Sequence, residues 1–302
     1  MGRGHLLSRP LRALTLASSL IGASMALADE ADWLIDQQRG SALISAAEAR
    51  TLHSAGAHFL DAREHPVSPL FGRIPGALSA RWRDFSRGPR DGELRPLPQI
   101  QARLSALGLS GERAVVIYGD WARGWGEEGR LFWMLDYLGY PNLYVIEGGW
   151  RAWRAAGGEA ERGVEQTPPS GRWHAHPHRD KVQRLEDYEG SAVTDQLIDT
   201  RSRAEFEGAT PYGSPCGGHI PRAVNIPFSS LFEGDQLLSK SALRAIFEEA
   251  GINLSHPIVT YCTGGVRSGF LYLVLRSIGA KSIRNDDGSW WRWSRAHCAK
   301  QE

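Results

Sequence analysis

The sequence predicts an α/β protein built from two tandem copies of one unit, each a parallel sheet flanked by helices on both faces. Three observations carry that expectation. Landmarks recur in the same order at a spacing of about 140 residues, the mark of an internal duplication. Short apolar runs rich in β-branched residues (114–118, 143–146, 257–261) have the length and composition of buried parallel strands. Longer stretches with helical periodicity (127–138, 266–278) lie between them, and alternation of this kind implies crossovers that cover both faces of a sheet.

The duplication is legible residue by residue. His58-Phe59-Leu60-Asp61-Ala62-Arg63 returns as Gln196-Leu197-Ile198-Asp199-Thr200-Arg201. Gly72-Arg73-Ile74-Pro75-Gly76-Ala77 returns as Gly218-His219-Ile220-Pro221-Arg222-Ala223. Val115-Val116-Ile117-Tyr118 matches Ile258-Val259-Thr260-Tyr261, and Gly148-Gly149-Trp150 matches Gly288-Ser289-Trp290. Between the copies, residues 157–179 contain Thr167-Pro168-Pro169-Ser170-Gly171 and His174-Ala175-His176-Pro177-His178, where proline interrupts regular structure. We therefore divide the chain into 29–160, a linker at 161–180, and 181–302. The three linker histidines form no expected metal site, since Pro177 breaks their spacing and no cysteine is near.

Residues 1–28 read as a cleavable secretory signal. Arg3, Arg9 and Arg12 precede an apolar run from Ala13 to Leu27, which is too short to span a bilayer stably, and Ala26-Leu27-Ala28 supplies the small-x-small cleavage site. The expected mature chain is periplasmic, cut after Ala28, and free of the membrane. Its formal charge moves from +1 to about −2 as those arginines leave, which points to neither nucleic acid nor a membrane surface. Three cysteines remain, Cys216, Cys262 and Cys298, and an odd number in an oxidising compartment leaves at least one unpaired within the chain. Cys216 could bond Cys298, could resolve chemistry at Cys262, or could be an inert surface thiol. The last is the favoured expectation.

The segment that carries chemistry is Tyr261-Cys262-Thr263-Gly264-Gly265-Val266-Arg267-Ser268. Cys262 stands at the carboxyl end of a strand, where open α/β sheets place ligands. The two glycines let the backbone curl so that successive N–H groups converge, and the positive end of the next helix and Arg267 reinforce this anion-binding nest. Such surroundings lower a thiol pKa, and the thiolate is the nucleophile.

This loop, the Asp-Thr-Arg of 199–201, the Gly-His-Ile-Pro-x-Ala-Val-Asn-Ile-Pro run of 218–227 and the Gly-Ser-Trp of 288–290 together resemble the rhodanese family of thiosulfate and 3-mercaptopyruvate sulfurtransferases. The resemblance implies tandem rhodanese-like domains and a persulfide carried on Cys262. It also implies a cradle from Thr263, Gly264, Gly265, Val266, Arg267 and Ser268, with Arg201 contacting the substrate anion. Asp199 would orient that arginine or simply close the strand end. Trp290 would border the active loop. At the position of Cys262 the first copy has Gly119, so that half is expected to be catalytically silent.

Four residues separate Cys262 from Arg267, whereas the similar phosphatase loop has five and encloses a larger group. Sulfur transfer is accordingly favoured over phosphatase chemistry, with a persulfide carrier serving a protein partner as the alternative. The expected partners are a small anionic donor, leaning to thiosulfate, and cyanide, a small thiol or a protein thiol as acceptor. No cofactor is expected.

Overall fold

A computed structural model describes Met1, residues 42–64, Leu70, 72–190 and 195–298. The expected signal segment and the extreme C-terminus lie outside these residues. Among the described residues no helix is long and apolar enough to cross a membrane.

In the first half, strands β1 (Leu43–Ile44), β2 (His58–Asp61) and β3 (Leu78–Ser79) are followed by a hairpin of β4 (Ser86–Gly88) and β5 (Asp91–Leu94). Strands β6 (Val115–Tyr118) and β7 (Leu143–Ile146) complete a parallel sheet of order β1-β7-β6-β2-β3. Helices α1 (Ala46–Ser54), α2 (Trp82–Phe85), α3 (Leu97–Ala106), α4 (Glu127–Tyr137) and α5 (Gly149–Ala155) accompany it. The second half repeats the scheme. Helix α6 (Asp187–Gly190) leads into β8 (Gln196–Asp199), α7 (Arg203–Phe206), β9 (Val224–Asn225), the short pair β10 (Phe232–Glu233) and β11 (Gln236–Leu237), and α8 (Lys240–Glu249). Then come β12 (Ile258–Tyr261), α9 (Val266–Ser277), β13 (Ile283–Asn285) and α10 (Ser289–His297). The parallel order is β13-β12-β8-β9. Every residue of the central strands β6 and β12 is buried, as expected where helices cover both faces of a sheet.

The halves meet through α4 and α9, which cross at glycine. A Cβ on Gly129 would lie 2.3 Å from Phe270 Cα, and one on Gly269 would lie 2.7 Å from Arg130 Cα. No larger residue fits either position, and the reward is one continuous apolar core shared by both halves, from Leu131 and Phe132 to Phe270 and Leu273. Asp136 ties the same helices at their far ends, accepting from Tyr272 Oη and Arg276 at 2.6 Å and from Lys181 at 3.0 Å.

Two further contacts fix the relative placement of the halves. Leu94 of the hairpin donates its N–H to Asp287 Oδ2 at 2.9 Å, and Arg292 reaches Glu93 at 3.2 Å. The linker runs along the first half, with Trp173 N bonded to Leu109 O at 3.2 Å and His176 N to Leu138 O at 2.8 Å. The proline-rich stretch therefore has irregular structure but fixed backbone partners.

Candidate active site

β12 ends at Tyr261, and the chain reverses within Cys262 to Gly265 before α9 begins. Gly265 caps that helix at φ +82°, a left-handed conformation that glycine adopts without strain. This turn aims the Gly265 N–H at Cys262 Sγ, 3.1 Å away. Cys262 is buried and its thiol is free, while the cleft above it opens between the two halves. Burial alone pushes the thiol pKa up. The Arg267 charge, the amides of Ser268 and Gly264 and the Ser268 hydroxyl outweigh it, so the net shift is downward and favours the thiolate.

The cradle residues expected from the sequence converge here, held by partners that the sequence did not reveal. Arg267 is gripped by Glu205, with Nη1 to Oε2 at 2.8 Å and Nη2 to Oε1 at 2.9 Å. Thr263 Oγ1 donates to the same carboxylate at 2.8 Å and accepts from Arg267 at 2.6 Å. Burial pushes Glu205 up, but its bonds to Arg267 and Thr263 dominate and hold its pKa at about 2. Below the loop, Cys262 N donates to Ser289 Oγ at 3.1 Å. Ser289 N donates to Asp286, whose carboxylate is also held by Arg292 and by Tyr188 Oη.

Arg201 is a correction. It was expected to touch the substrate anion, but it lies buried under Trp290, its Cζ 4.6 Å from that ring, its side chain bonded three times to Asp199 and once to Gly218 O at 2.7 Å. The first half explains why. Arg63 binds Asp61 and Gly72 O in the same way beneath Trp150, although that half has no cysteine to serve. Tyr118 and Tyr261 likewise bridge each strand end to the N–H of Ile74 and of Ile220. The Asp-x-Arg element therefore closes the strand end in both copies, and Asp199 takes that role. Trp290 borders the active loop as expected, donating its backbone N–H to Cys262 O at 3.0 Å, and its neighbour Trp291 lines the cleft.

The cleft has a volume of about 310 Å³. Its walls mix Trp82, Arg83, Asp120, Trp125 and Glu127 of the first half with Tyr212, Val266, Arg267 and Trp291 of the second. Arg267 lies 5.1 Å from the Trp125 ring and 5.7 Å from the Tyr212 ring, so aromatic faces from both halves sandwich it. The loop bearing Tyr212 is braced by a Cys216–Cys298 disulfide, whose Cα atoms are 6.1 Å apart. Trp290 Nε1 reaches Cys216 O at 3.1 Å, and Trp291 Nε1 reaches Tyr212 O at 3.2 Å. This pairing corrects the favoured expectation that Cys216 is an inert surface thiol, and it leaves Cys262 as the free cysteine.

The equivalent loop of the first half is filled. A Cβ on Gly119 would fall 1.9 Å from Glu128 Oε2, so a buried carboxyl occupies the ground where a side chain at Gly119 would begin. Burial above all, then the Glu127 charge, raises the Glu128 pKa to about 8. Glu127 is raised to about 7, again chiefly by burial. Gly126, the helix-capping glycine here, comes seven residues after Gly119, whereas Gly265 comes three after Cys262. The additional residues form a short turn, Trp121–Arg123, and deliver Trp125 into the cleft of the other half.

Fold and site define a two-domain α/β protein with one activated cysteine seated in an amide-lined anion cradle. The chain belongs to the rhodanese family, for the rhodanese-like domain is matched twice, over residues 45–156 and 181–296. SseB of Mycobacterium tuberculosis is 32% identical over 275 residues, covering 85% of this chain and 95% of its own. The thiosulfate sulfurtransferase of Azotobacter vinelandii is 30% identical over 228 residues, or 74% of this chain and 82% of its own. Among solved structures, the 3-mercaptopyruvate sulfurtransferase SseA of Escherichia coli superposes with a TM-score of 0.73 at 24% identity, covering 83% of this chain and 99% of that one.

Proposed function

We propose that this protein is a sulfurtransferase that moves a sulfane sulfur through a persulfide on Cys262, its first domain contributing cleft wall but no thiol. The observation that carries this reading is the Gly265 N–H aimed at Cys262 Sγ from 3.1 Å, beside a thiol whose pKa is lowered. The thiolate attacks the outer sulfur of thiosulfate. The S–S bond of the donor breaks, and sulfite leaves with the electron pair. With 3-mercaptopyruvate the C–S bond breaks instead, and the carbon takes a proton to give pyruvate. An acceptor such as cyanide or a thiol then attacks the outer sulfur of the persulfide, and the Cys262 thiolate is restored. The Gly265 N–H already points at the sulfur, so a donor for its charge is in place before the transfer begins.

The experiment is sulfur transfer to cyanide with thiosulfate and 3-mercaptopyruvate as alternative donors, beside Cys262→Ser. Turnover with either donor that disappears in the variant supports the reading and identifies the preferred donor. A mass gain of one sulfur without turnover indicates a carrier instead, the description borne by the sulfur carrier protein TtuD of Thermus thermophilus, 30% identical over 241 residues. The absence of both turnover and mass gain would sink the reading.

Export to the periplasm after cleavage at Ala28 belongs to the same proposal. The Arg-rich start, the apolar run and the Cys216–Cys298 bond support it. Cell fractionation with N-terminal sequencing tests it, and an intact Met1 in a cytoplasmic fraction would overturn it.

A further inference from the structure

Arg130 is a buried cation that the proposed chemistry has not used. It rises from α4 of the silent domain, 1% exposed, and crosses into the active one. Its Nη1 donates to Gly265 O at 3.3 Å, its Nη2 donates to Gly92 O, and its Cζ lies 4.6 Å from the Trp133 ring. A Cβ on Gly265 would fall 2.4 Å from Nη1, so the guanidinium lies directly against the loop that carries Cys262. Among the described residues no carboxylate is in salt-bridge contact with it. A buried charge with no carboxylate in contact is costly and calls for a reason.

The neighbouring charges supply one. Asp286 is held by Arg292 at 2.6 Å, and Asp287 by Arg184 at 3.4 Å. Glu93, which also touches Arg292, is paired with Arg87 at 3.0 Å. Arg267, the cation of the loop itself, acts on the sulfur while Glu205 holds it in bidentate fashion, so its charge is shared with a carboxylate. Asp287 is the charge that acts most strongly on Arg130, the Cys262 sulfur comes next and Asp286 after it. The two carboxylates each have an arginine of their own, and among the described residues the sulfur has none in contact. Buried together, Arg130 and that sulfur interact far more strongly than they would in water.

We propose that Arg130 is a positioning residue for Cys262, a fixed positive charge that the silent domain places against the Gly265 turn to hold the sulfur as an anion. The proposal rests on the reading of Cys262 as an anionic sulfur carrier, and it gives the silent domain an electrostatic part in the chemistry of the other. Arg130 touches neither donor nor acceptor.

The test is the pH profile of Cys262 alkylation by iodoacetamide in the full chain, followed by intact mass with the disulfide oxidised so that one thiol reacts. It uses neither donor nor acceptor, so its outcome is independent of the turnover assay. Arg130→Gln keeps hydrogen-bond donors and removes the charge. Its inflection should rise by about one pH unit, slowing alkylation at neutral pH about tenfold. Arg130→Lys keeps the charge and should hold the inflection within a few tenths of a unit of the native protein. An unshifted profile in Arg130→Gln overturns the proposal. So does a lysine variant that is folded by circular dichroism yet shifted upward by a full unit, which decides the matter alone if the glutamine variant does not fold.

Discussion

The loop after β12 and the loop after β6 leave the same strand end and finish on a left-handed glycine that starts a helix, yet one holds a reactive sulfur and the other a protonated carboxyl. In the second half the cysteine faces an N–H at 3.1 Å and is surrounded by donors. In the first half the cysteine position is glycine, and Glu128 fills the space, its oxygens without a hydrogen-bond partner among the described residues. Counted from the two capping glycines, Glu128 stands where Arg267 stands. The silent loop thus has no nucleophile and carries a carboxyl where its twin carries a cation, while its additional residues carry Trp125 into the neighbouring cleft. A duplicated site can give up its chemistry and keep a part in the wall of its twin.

That contrast can be broken outright at the sulfur. Cys262→Ser should lower turnover with either donor by on the order of 10⁴-fold or more, as loss of a nucleophile does. Adding Gly119→Cys to that variant should restore nothing in a cyanide assay, because Glu128 already occupies the space the new side chain needs. Recovery of activity in the double variant would mean that the first cradle is intact after all.

The ion pair that separates the loops comes next. Glu205→Gln leaves Arg267 buried without its counter-ion and should cost about 3–5 kcal/mol in urea unfolding. A loss under about 1 kcal/mol would place that pair among ordinary exposed bridges.

The carboxyl of the silent loop gives a smaller, pH-dependent effect. Its pKa in the folded state, about 8, lies above the ordinary value of 4.5, so the folded chain retains a proton that the unfolded chain releases. Stability from this group is complete below the unfolded value and declines as pH rises toward 8, by about 1.4 kcal/mol per unit. Glu128→Gln cannot ionise and should flatten that decline between pH 5 and pH 8. Equal slopes for the two proteins would show that Glu128 is already ionised at neutral pH.

The smallest effect belongs to the inserted residues. Trp125→Ala removes an exposed ring from over Arg267, and should raise the donor KM by about fivefold or less while kcat holds. An equal fall in kcat would assign Trp125 to the transition state instead.

Much of this was legible in the sequence because it is local. The matched landmarks reveal the duplication, and Cys262 to Ser268 reveals the cradle, since a glycine pair, a charge and a helix start act within a few residues of one another. Contacts between distant segments were not legible. Arg201 resembles a substrate ligand until the geometry sets it beneath Trp290, and its twin Arg63 shows that the role is structural. Glu205 did leave a signal, for Ser202-x-x-Glu205 is a capping box that the structure forms. That pattern explains the helix start and is silent on the second partner, Arg267. Arg130 left none, because its meaning depends on how two halves pack, and the Gly-Ser-Trp of 288–290 marked Ser289 without showing that it supports Cys262 and is held by Asp286.

The crossing of α4 and α9 has a consequence for descent. Counted from the capping glycines, Arg130 and Gly269 are the same position in the two copies, and they touch each other across the seam. Two separate, identical subunits meeting on this axis would have to place the same residue on both sides. Arginine twice would press two buried guanidinium groups together, and glycine twice would leave the loop without its neighbouring cation. A long side chain facing none at all is a pairing closed to identical subunits and open to copies joined in one polypeptide, where one half is free to change without its sister.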